Sequence, residues 1–457
     1  MEVLRAGEIA GAVKGRLVNS LDETEITGVS IDSRSIKPGD MFIALKGESF
    51  DGHDFIGPAA AKGAALVITE KEPDLDIPYI LVEDSLKALQ AAARYYRGRF
   101  SIPFVAITGS SGKTTTKDMI ASVLSQKYEV LKTEGNLNNA IGLPLMLLRL
   151  RHSHKIAVLE MGMNSPGEIR LLSDIVRQDI AVISNVGTAH IEKLGSRENI
   201  LKAKLEILAY FDRGNIAVIN GDNDMLAGLR SARYDIVRYG LEPKNDVYAS
   251  MITERGEEGT DFTVAFDGVP ETLTVPLPGI HNVYNALSAV AVARLFGINA
   301  EEIRKGLMSF KPSKNRMDII NTPEGIKIIN DVYNANPESM RAAINALKSY
   351  KAEGRRIFIS GDMLELGDIS GKEHFDIGGY AASNGIDIIA SIGNFSGAVR
   401  KGAEASGIGG EDLYAFPDKE TAAPVLKKIL RPGDLVLVKG SRSMKLEYIV
   451  DYIRERG

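Results

Sequence analysis

The chain has 457 residues, more than one ordinary domain holds, so two to four domains are expected. Hydrophobic residues make up 44% and charged residues 25%, with a formal net charge of −5; this is a globular protein with ample core, and it lacks the basic excess of a nucleic-acid binder. Cysteine is absent, which removes disulfides, thiol catalysis and Cys-ligated metals and leaves oxygen ligands or His for any metal. No apolar run approaches the roughly 18 residues that span a bilayer. The start, Met1-Glu2-Val3-Leu4-Arg5, has no basic segment followed by an apolar one, so a cytoplasmic protein without membrane insertion is expected.

Residues 1–100 read as short segments with frequent turn residues, ending in a helical stretch from Ser85 to Arg97. A break at Arg99–Pro103 precedes the apolar run Ile102–Ile107, the turn Gly109-Ser110-Ser111-Gly112-Lys113-Thr114-Thr115-Thr116 and a helical pattern through Leu124. A strand, a Gly-containing turn and a helix N-terminus direct free backbone N–H groups at a phosphate, and the helix dipole favours its charge. Lys113 then reaches the terminal phosphates, and the Thr114 hydroxyl is placed to ligate Mg²⁺. The full P-loop pattern wants Gly five residues before Gly112, where Ile107 stands; this shortened form points away from ordinary GTPases and kinases. The flanking strand and helix disfavour the plainer alternative, a Gly-rich turn that happens to carry Lys-Thr.

Alternating strands (Ile156–Leu159, Ile180–Ile183) and helices follow, a βαβ texture. Glu160 ends the first of these strands, either as a metal-holding carboxylate or as a surface one. Ser165-Pro166-Gly167-Glu168 reads as a helix start with Ser as N-cap, Pro at N1 and Glu at N3. His190 lies beyond the second strand, where a ligand and an ordinary satisfied histidine are both open readings, while His152 and His154 read as solvated. Lys204 sits on a helix whose residues alone suggest a solvated face. Short antiparallel strands are expected near 245–277 and helices near 283–309, with Asn282 and Asn285 on one helix face, suited to adenine contacts or to capping.

From about 315 a second βα series begins, with strands Ile326–Asn330, Arg356–Ile359, Ile386–Ile392 and Leu435–Val438. Right-handed crossovers make this a doubly wound parallel sheet. It has no Gly-x-Gly-x-x-Gly turn, so no nicotinamide cofactor is expected. The loop Asp331-Val332-Tyr333-Asn334-Ala335-Asn336-Pro337 takes the crevice position where open α/β sheets bind ligands, unless it is only rich in turn formers. Lys439-Gly440-Ser441-Arg442-Ser443-Met444-Lys445, after the last strand, is a further place for an anion.

These segments in this order resemble the Mur ligases, ATP-dependent amide-forming enzymes of peptidoglycan synthesis. The family marks are Thr108 to Thr114, Glu160, His190, Lys204 and the His281-Asn282 turn. Gly135-Asn136-Leu137-Asn138-Asn139, Asp331–Pro337, Gly361-Asp362-Met363-Leu364-Glu365-Leu366-Gly367 and Lys439–Met444 resemble the branch that adds D-alanyl-D-alanine to a UDP-N-acetylmuramoyl-tripeptide. Asp32-Ser33-Arg34, Pro38-Gly39-Asp40 and Lys46-Gly47 to Asp51-Gly52-His53 resemble the UDP-binding domain of the tripeptide-forming relative. One departure is Asn315 before Arg316, where the family more often has Gly.

The resemblance implies an α/β protein of three domains: a small α/β UDP-binding domain over 1–100, a central P-loop-type mononucleotide-binding domain over 101–314, and a C-terminal Rossmann-like doubly wound domain over 315–457. It implies ATP held by Gly109, Ser110, Ser111, Gly112, Lys113, Thr114, Thr115, Asn282, Arg316 and Asp331. Lys113, Glu160, His190 and Lys204 are implied as catalytic, with Mg²⁺ on Thr114, Glu160, His190 and a carbamate formed on Lys204. Substrate contacts are implied at Ser33, Arg34, Lys46, Asp51, His53, Asn138, Asn139, Tyr333, Asn334 and Asn336, the last three toward the dipeptide. A monomer is expected. The competing readings are a sister ligase adding a single amino acid, a folylpolyglutamate synthetase, which lacks the N-terminal segment, and a non-catalytic ATP-binding switch.

Overall fold

The computed structural model describes residues 1–455; the last two residues of the expected C-terminal domain, 456–457, lie outside the described residues. The chain packs as two compact units that interleave in sequence. One holds Met1–Thr108, Tyr128–Ala181 and Leu205–Ile216; the other holds Gly109–Lys127, Val182–Lys204 and the chain from Ala217 onward.

In the first unit, a five-stranded sheet runs in the order Arg16–Val18, Tyr79–Leu81, Leu66–Thr69, Asp40–Ile43, Gly28–Ser30. All neighbours are parallel except the outer pair Arg16–Val18 and Tyr79–Leu81. Leu66–Thr69 is buried along its whole length, as a parallel strand covered on both faces requires. The helix Ser85–Arg97 has the bounds its sequence suggests. Asp84 caps it by accepting from Lys87 N, and Ala88, Leu89, Ala92, Ala93 and Tyr96 form the buried stripe. A second parallel set in this unit places Ile156–Glu160 between Val130–Lys132 and Phe104–Thr108, with Glu160 opposite Ile107.

The helix expected to start at Pro166 behind a Ser165 cap starts instead at Glu168, with Gly167 at φ 88° as its N-cap. Ser165 and Pro166 belong to the preceding turn. The cap comes from a distant acid: Glu206 accepts from Gly167 N (2.8 Å) and Arg170 N (3.1 Å), and Glu168 accepts from Asn164 N. A carboxylate there meets both the orphan N–H groups and the dipole, so the local Ser-Pro signal loses.

In the second unit, the helix Lys113–Leu124 packs against Ile280–Leu295 and Ala300–Ser309. The antiparallel strands near 245–277 are Ser250–Glu254, Thr260–Phe266 and Val269–Val275. The last sheet has six strands rather than the four read from sequence. Its order is Asp318–Asn321, Lys327–Asp331, Leu435–Lys439, Arg356–Gly361, Ile388–Ile392, Leu413–Phe416. Asp318–Asn321 pairs antiparallel and the other neighbours are parallel. Both extra strands lie at the sheet's edges and are only partly buried, which weakens the apolar signal that marks an inner strand. Along the inner strands side chains alternate between two cores. Ile329, Phe358, Ile389 and Leu437 meet the helices Pro337–Ser349, Ser370–Ser383 and Ser396–Ala405, whereas Ile328, Ile357, Ile388 and Val436 meet Lys419–Ile429 and Glu447–Arg454.

The helices Ser370–Ser383 and Ser396–Ala405 touch backbone to backbone. A Cβ on Gly378 would fall 1.9 Å from the Val399 carbonyl oxygen, and one on Gly402 would fall 1.9 Å from that of Phe375. Gly378→Ala is therefore expected to cost about 1–3 kcal/mol through forced separation of the pair. Denaturant unfolding of the variant checks this, and unchanged stability would show that the helices can part without loss.

Candidate active site

The phosphate-loop segment is shaped by Gly112 and Gly109. Gly112 sits at φ 75° as the N-cap of Lys113–Leu124, a left-handed conformation that a side chain resists. Gly109 runs so close to the next strand's end that a Cβ would lie 1.9 Å from Ser184 Oγ. That closeness lets residues 184–187 bind the loop. Ser184 Oγ donates to Ser111 O (2.7 Å), Gly187 N donates to Ser110 Oγ (2.9 Å), and Asn185 Oδ1 accepts from Ser110 N (3.1 Å) and Ser111 N (2.9 Å). The Asn185 side-chain oxygen thus lies against two N–H groups that the sequence motif assigns to a phosphate. Lys113 Nζ donates to Gly109 O at 2.8 Å, folded onto its own loop. Thr114 is buried; Thr116 Oγ1 donates to Asn285 Oδ1 (3.1 Å) on the neighbouring helix. Asn285 Nδ2 donates to Asn282 Oδ1, and Asn282 Nδ2 to Pro278 O, so both amides are buried and engaged within the protein.

His190 and Lys204 lie in the same unit as the loop. His190 Nδ1 is 2.5 Å from Glu365 Oε2, and this pairing is the main cause that holds the Glu365 carboxyl below its ordinary range. Lys204 is 1% exposed, not on a solvated face. Burial, followed by the like charge of Lys113, holds its ammonium well below the usual lysine range.

The Asp331–Pro337 loop leaves a strand whose register sets Asp331 beside Lys439. The two form an ion pair of 2.5 Å, and Lys439 Nζ also donates to Asn334 O (2.9 Å), so this lysine of the 439–445 stretch is committed to the neighbouring strand and its loop. Asn315 adopts φ 65°, a left-handed conformation in which Asn is the best non-glycine substitute, so the departure from Gly keeps the turn. It presents Arg316, whose guanidinium lies 4.0 Å from the Tyr333 ring centroid. Asn334 is exposed. Asn336 is buried: it caps Pro337–Ser349 by accepting from Ser339 N (2.8 Å), and its Nδ2 donates to Ser110 O at 3.4 Å. Glu338, one residue into that helix, accepts from Thr188 N (2.9 Å) and Thr188 Oγ1 (3.1 Å).

In the first unit Glu160 is 2% exposed and accepts from Asn138 Nδ2 (2.8 Å), while Asn139 Oδ1 accepts from Ile141 N and Gly142 N at the start of Gly142–Leu147. Ser33 and Arg34 follow the strand Gly28–Ser30, and Lys46, Asp51 and His53 follow Asp40–Ile43, its parallel neighbour. The sheet therefore gathers all five near one carboxyl edge. Arg34 is exposed and pairs with Asp32 at 2.8 Å, the main cause that lowers the Asp32 carboxyl to about 2. His53 is spent on structure: its backbone N–H and Nδ1 meet Asp51, and Nε2 accepts from Glu70 N (3.1 Å).

Three family models match the chain in order: Mur ligase family, catalytic domain, over residues 25–97; Mur ligase middle domain over 107–293; and Mur ligase, glutamate ligase domain, over 315–442. The UDP-N-acetylmuramoyl-tripeptide–D-alanyl-D-alanine ligase of Bacillus subtilis (strain 168) is 41% identical, with 97% of this chain and 96% of that protein covered. The chain belongs to the Mur ligase family. Crystal structure I of MurF from Acinetobacter baumannii superposes on this Mur ligase with a TM-score of 0.91 at 35% identity, covering 100% of this chain and 99% of that one. The MurF ligase from Thermotoga maritima in complex with ADP superposes with a TM-score of 0.81 at 31% identity, covering 94% and 97%.

Within this Mur ligase, Asn185, Glu338 and Glu365 were not singled out from the sequence. The partner of each is 74 to 175 positions away, so local patterning gave no signal. Asn185→Asp should place a carboxylate on the Ser110 and Ser111 amides and weaken binding of ADP by about tenfold or more. Calorimetric titration with ADP measures this; unchanged affinity would show that phosphate does not use these two amides.

Proposed function

We propose that this Mur ligase joins D-alanyl-D-alanine to UDP-N-acetylmuramoyl-tripeptide at the expense of ATP, giving the UDP-linked pentapeptide of peptidoglycan synthesis. The observation that carries the reading is the meeting of the Gly109–Lys113 phosphate cradle with the helix opened by Asn336 and Glu338, just after the loop that resembles the dipeptide-adding branch. Likeness along nearly the whole chain to ligases of that name supports the choice of substrates.

In this mechanism a carboxylate oxygen of the tripeptide attacks the γ-phosphorus, the bond to the β-phosphate oxygen breaks, and ADP leaves an acyl phosphate. The dipeptide amine then attacks the carbonyl carbon, the amine proton is lost, and the tetrahedral intermediate expels phosphate as the amide forms. Both reactants of the first step are anions, so the protein's task is to position them and offset their repulsion. Lys113, freed from Gly109 O, and the loop amides, freed from Asn185, serve the phosphates. Arg316 and Asp331 hold the nucleotide with Asn282, whose internal hydrogen bonds must then rearrange.

Among the described residues no three His, Asp or Glu side chains gather as a metal cage. Mg²⁺ uses few protein ligands plus substrate phosphates, and the donors on offer are chiefly oxygens. Thr114, Glu160, His190 and a Lys204 carbamate would hold it, and its chemistry there is neutralisation of phosphate charge. The carbamate forms when the buried Lys204 amine attacks CO₂, making the N–C bond and releasing a proton. Asn138 orients Glu160, and Ser33, Arg34 and Lys46 meet the UDP portion, with Asp51 and His53 bracing their loop. Tyr333 and the exposed Asn334 amide face the dipeptide, while Asn336 holds the loop. Residues 1–100, 101–314 and 315–457 are the proposed functional domains. No helix among the described residues is long and apolar enough to cross a membrane. The proposal places the reaction in the cytoplasm, carried out by a monomer.

Phosphate release with ATP, Mg²⁺, UDP-tripeptide and D-alanyl-D-alanine tests the assignment; preference for D-Ala, L-Lys or diaminopimelate as acceptor would favour a sister ligase. Lys113→Ala should abolish turnover while the thermal unfolding temperature stays at the parent's value, because the lysine acts as a point charge on the ligand. Lys204→Ala should lose activity and regain part of it with added short carboxylates that fill the vacated place. Full activity of Lys204→Ala in CO₂-depleted buffer would remove the carbamate from the mechanism.

A further inference from the structure

The Gly361–Gly367 loop is a motif that the mechanism so far leaves without a task. It is pinned along its length. Asp362, 2% exposed, accepts from Asn394 N (2.8 Å) and Phe395 N (3.1 Å). Met363 N donates to His374 Nε2 (2.8 Å), and Leu364 N donates to Ser441 Oγ (2.9 Å). The next residue, Glu365, therefore projects from a fixed backbone. Its carbonyl accepts from Glu192 N (3.2 Å), and its carboxylate meets His190 Nδ1 at 2.5 Å. A Cβ added at Gly367 would be 3.3 Å from Glu192 Cγ, so the loop lies directly on residues 190–192.

His190 and Glu365 both hold left-handed backbone conformations, at φ 64° and 65°, which non-glycine residues avoid unless their surroundings over-determine them. The two disfavoured conformations set the His190 imidazole against the Glu365 carboxylate, with 2.5 Å between Nδ1 and Oε2. His190 Nδ1 is buried, whereas the side chain keeps 17% of its surface exposed.

We infer that Glu365 is a positioning residue for the ligation reaction, holding His190 with the proton on Nδ1 and the bare Nε2 turned to the reaction site. This rests on the role given to His190 above. A carboxylate behind an imidazole sets its tautomer and ring orientation, and loss of such a partner typically lowers activity or ligand affinity by about 10- to 100-fold.

The test uses the full chain labelled with ¹⁵N-histidine and the variants Glu365→Ala and Glu365→Gln. In neutral rings, two-bond ¹⁵N–¹H correlations report the tautomer, and the His190 signal is assigned by its loss in His190→Gln. The parent should show Nδ1–H alone, Glu365→Ala a mixture, and Glu365→Gln mainly Nδ1–H, because the amide oxygen still accepts. In turnover, Glu365→Ala should lower kcat about 10- to 100-fold with KM for D-alanyl-D-alanine within about twofold of the parent, and Glu365→Gln should recover most of the loss. Parental kcat in Glu365→Ala overturns the inference. So does a lost kcat with the His190 tautomer unchanged, since the contact would then only tie two loops together. The tautomer readout needs no substrate, so a parent that fails to ligate the dipeptide defeats the proposed function while the spectra still decide for or against Glu365.

Discussion

The near-contact of Gly109 with Ser184, where a single Cβ would leave only 1.9 Å, is the constraint on which the site of the second unit depends. Because the two backbones meet there, Ser184, Asn185 and Gly187 can all bond to residues 110 and 111, and the loop has one shape before any ligand arrives. The following residues, 188 and 190, are then delivered to Glu338 and Glu365. Pre-ordering of this kind removes the cost of shaping the loop at the moment of binding. It also has an opposing term, since Asn185 already satisfies two of the amides and an anion must offer them more.

Charge is handled differently in different parts of the site. Buried Lys439 and half-buried Asp331 lie side by side and neutralise each other at 2.5 Å, which sheet register makes possible. Lys117 and Asp118 do the same inside Lys113–Leu124, at 3.2 Å with both side chains under 5% exposed. Lys204 is governed instead by burial and by a like charge, Lys113. A buried amine in such surroundings is favoured in its neutral form, the form that can react as a nucleophile. Paired charges build the frame here, and Lys204 alone of these lysines is set against burial and a like charge.

Helix N-termini do much of the joining. Asn336 caps its own helix with one end of the amide and reaches Ser110 O with the other, and Glu338 in the same first turn grips Thr188. Glu206 caps Glu168–Val176 across some 40 residues of chain. Each arrangement uses the unsatisfied N–H groups that every helix start must provide for, and converts a local requirement into a long-range tie.

Local patterning made much of this protein readable. The strand-turn-helix around Gly109–Lys113, the helix Ser85–Arg97, the inner strands of the last sheet and the antiparallel run near 260–275 are all set by periodicity, Gly placement and capping within a few residues. The residues with chemistry stood out for the same reason, in short polar loops after buried strands. What the sequence left open is what those side chains touch. The residues around Lys204 by themselves suggest a solvated face, yet Lys204 is buried; Asn336 also caps a helix, and Ser165 yielded its cap to Glu206. Glu365 gave no sign of His190, 175 positions earlier. Helix and strand formation is decided by neighbours in the chain, whereas burial, register and charge pairing are decided by whatever the finished packing brings within about 3 Å of a polar atom. Only the tertiary structure contains that information.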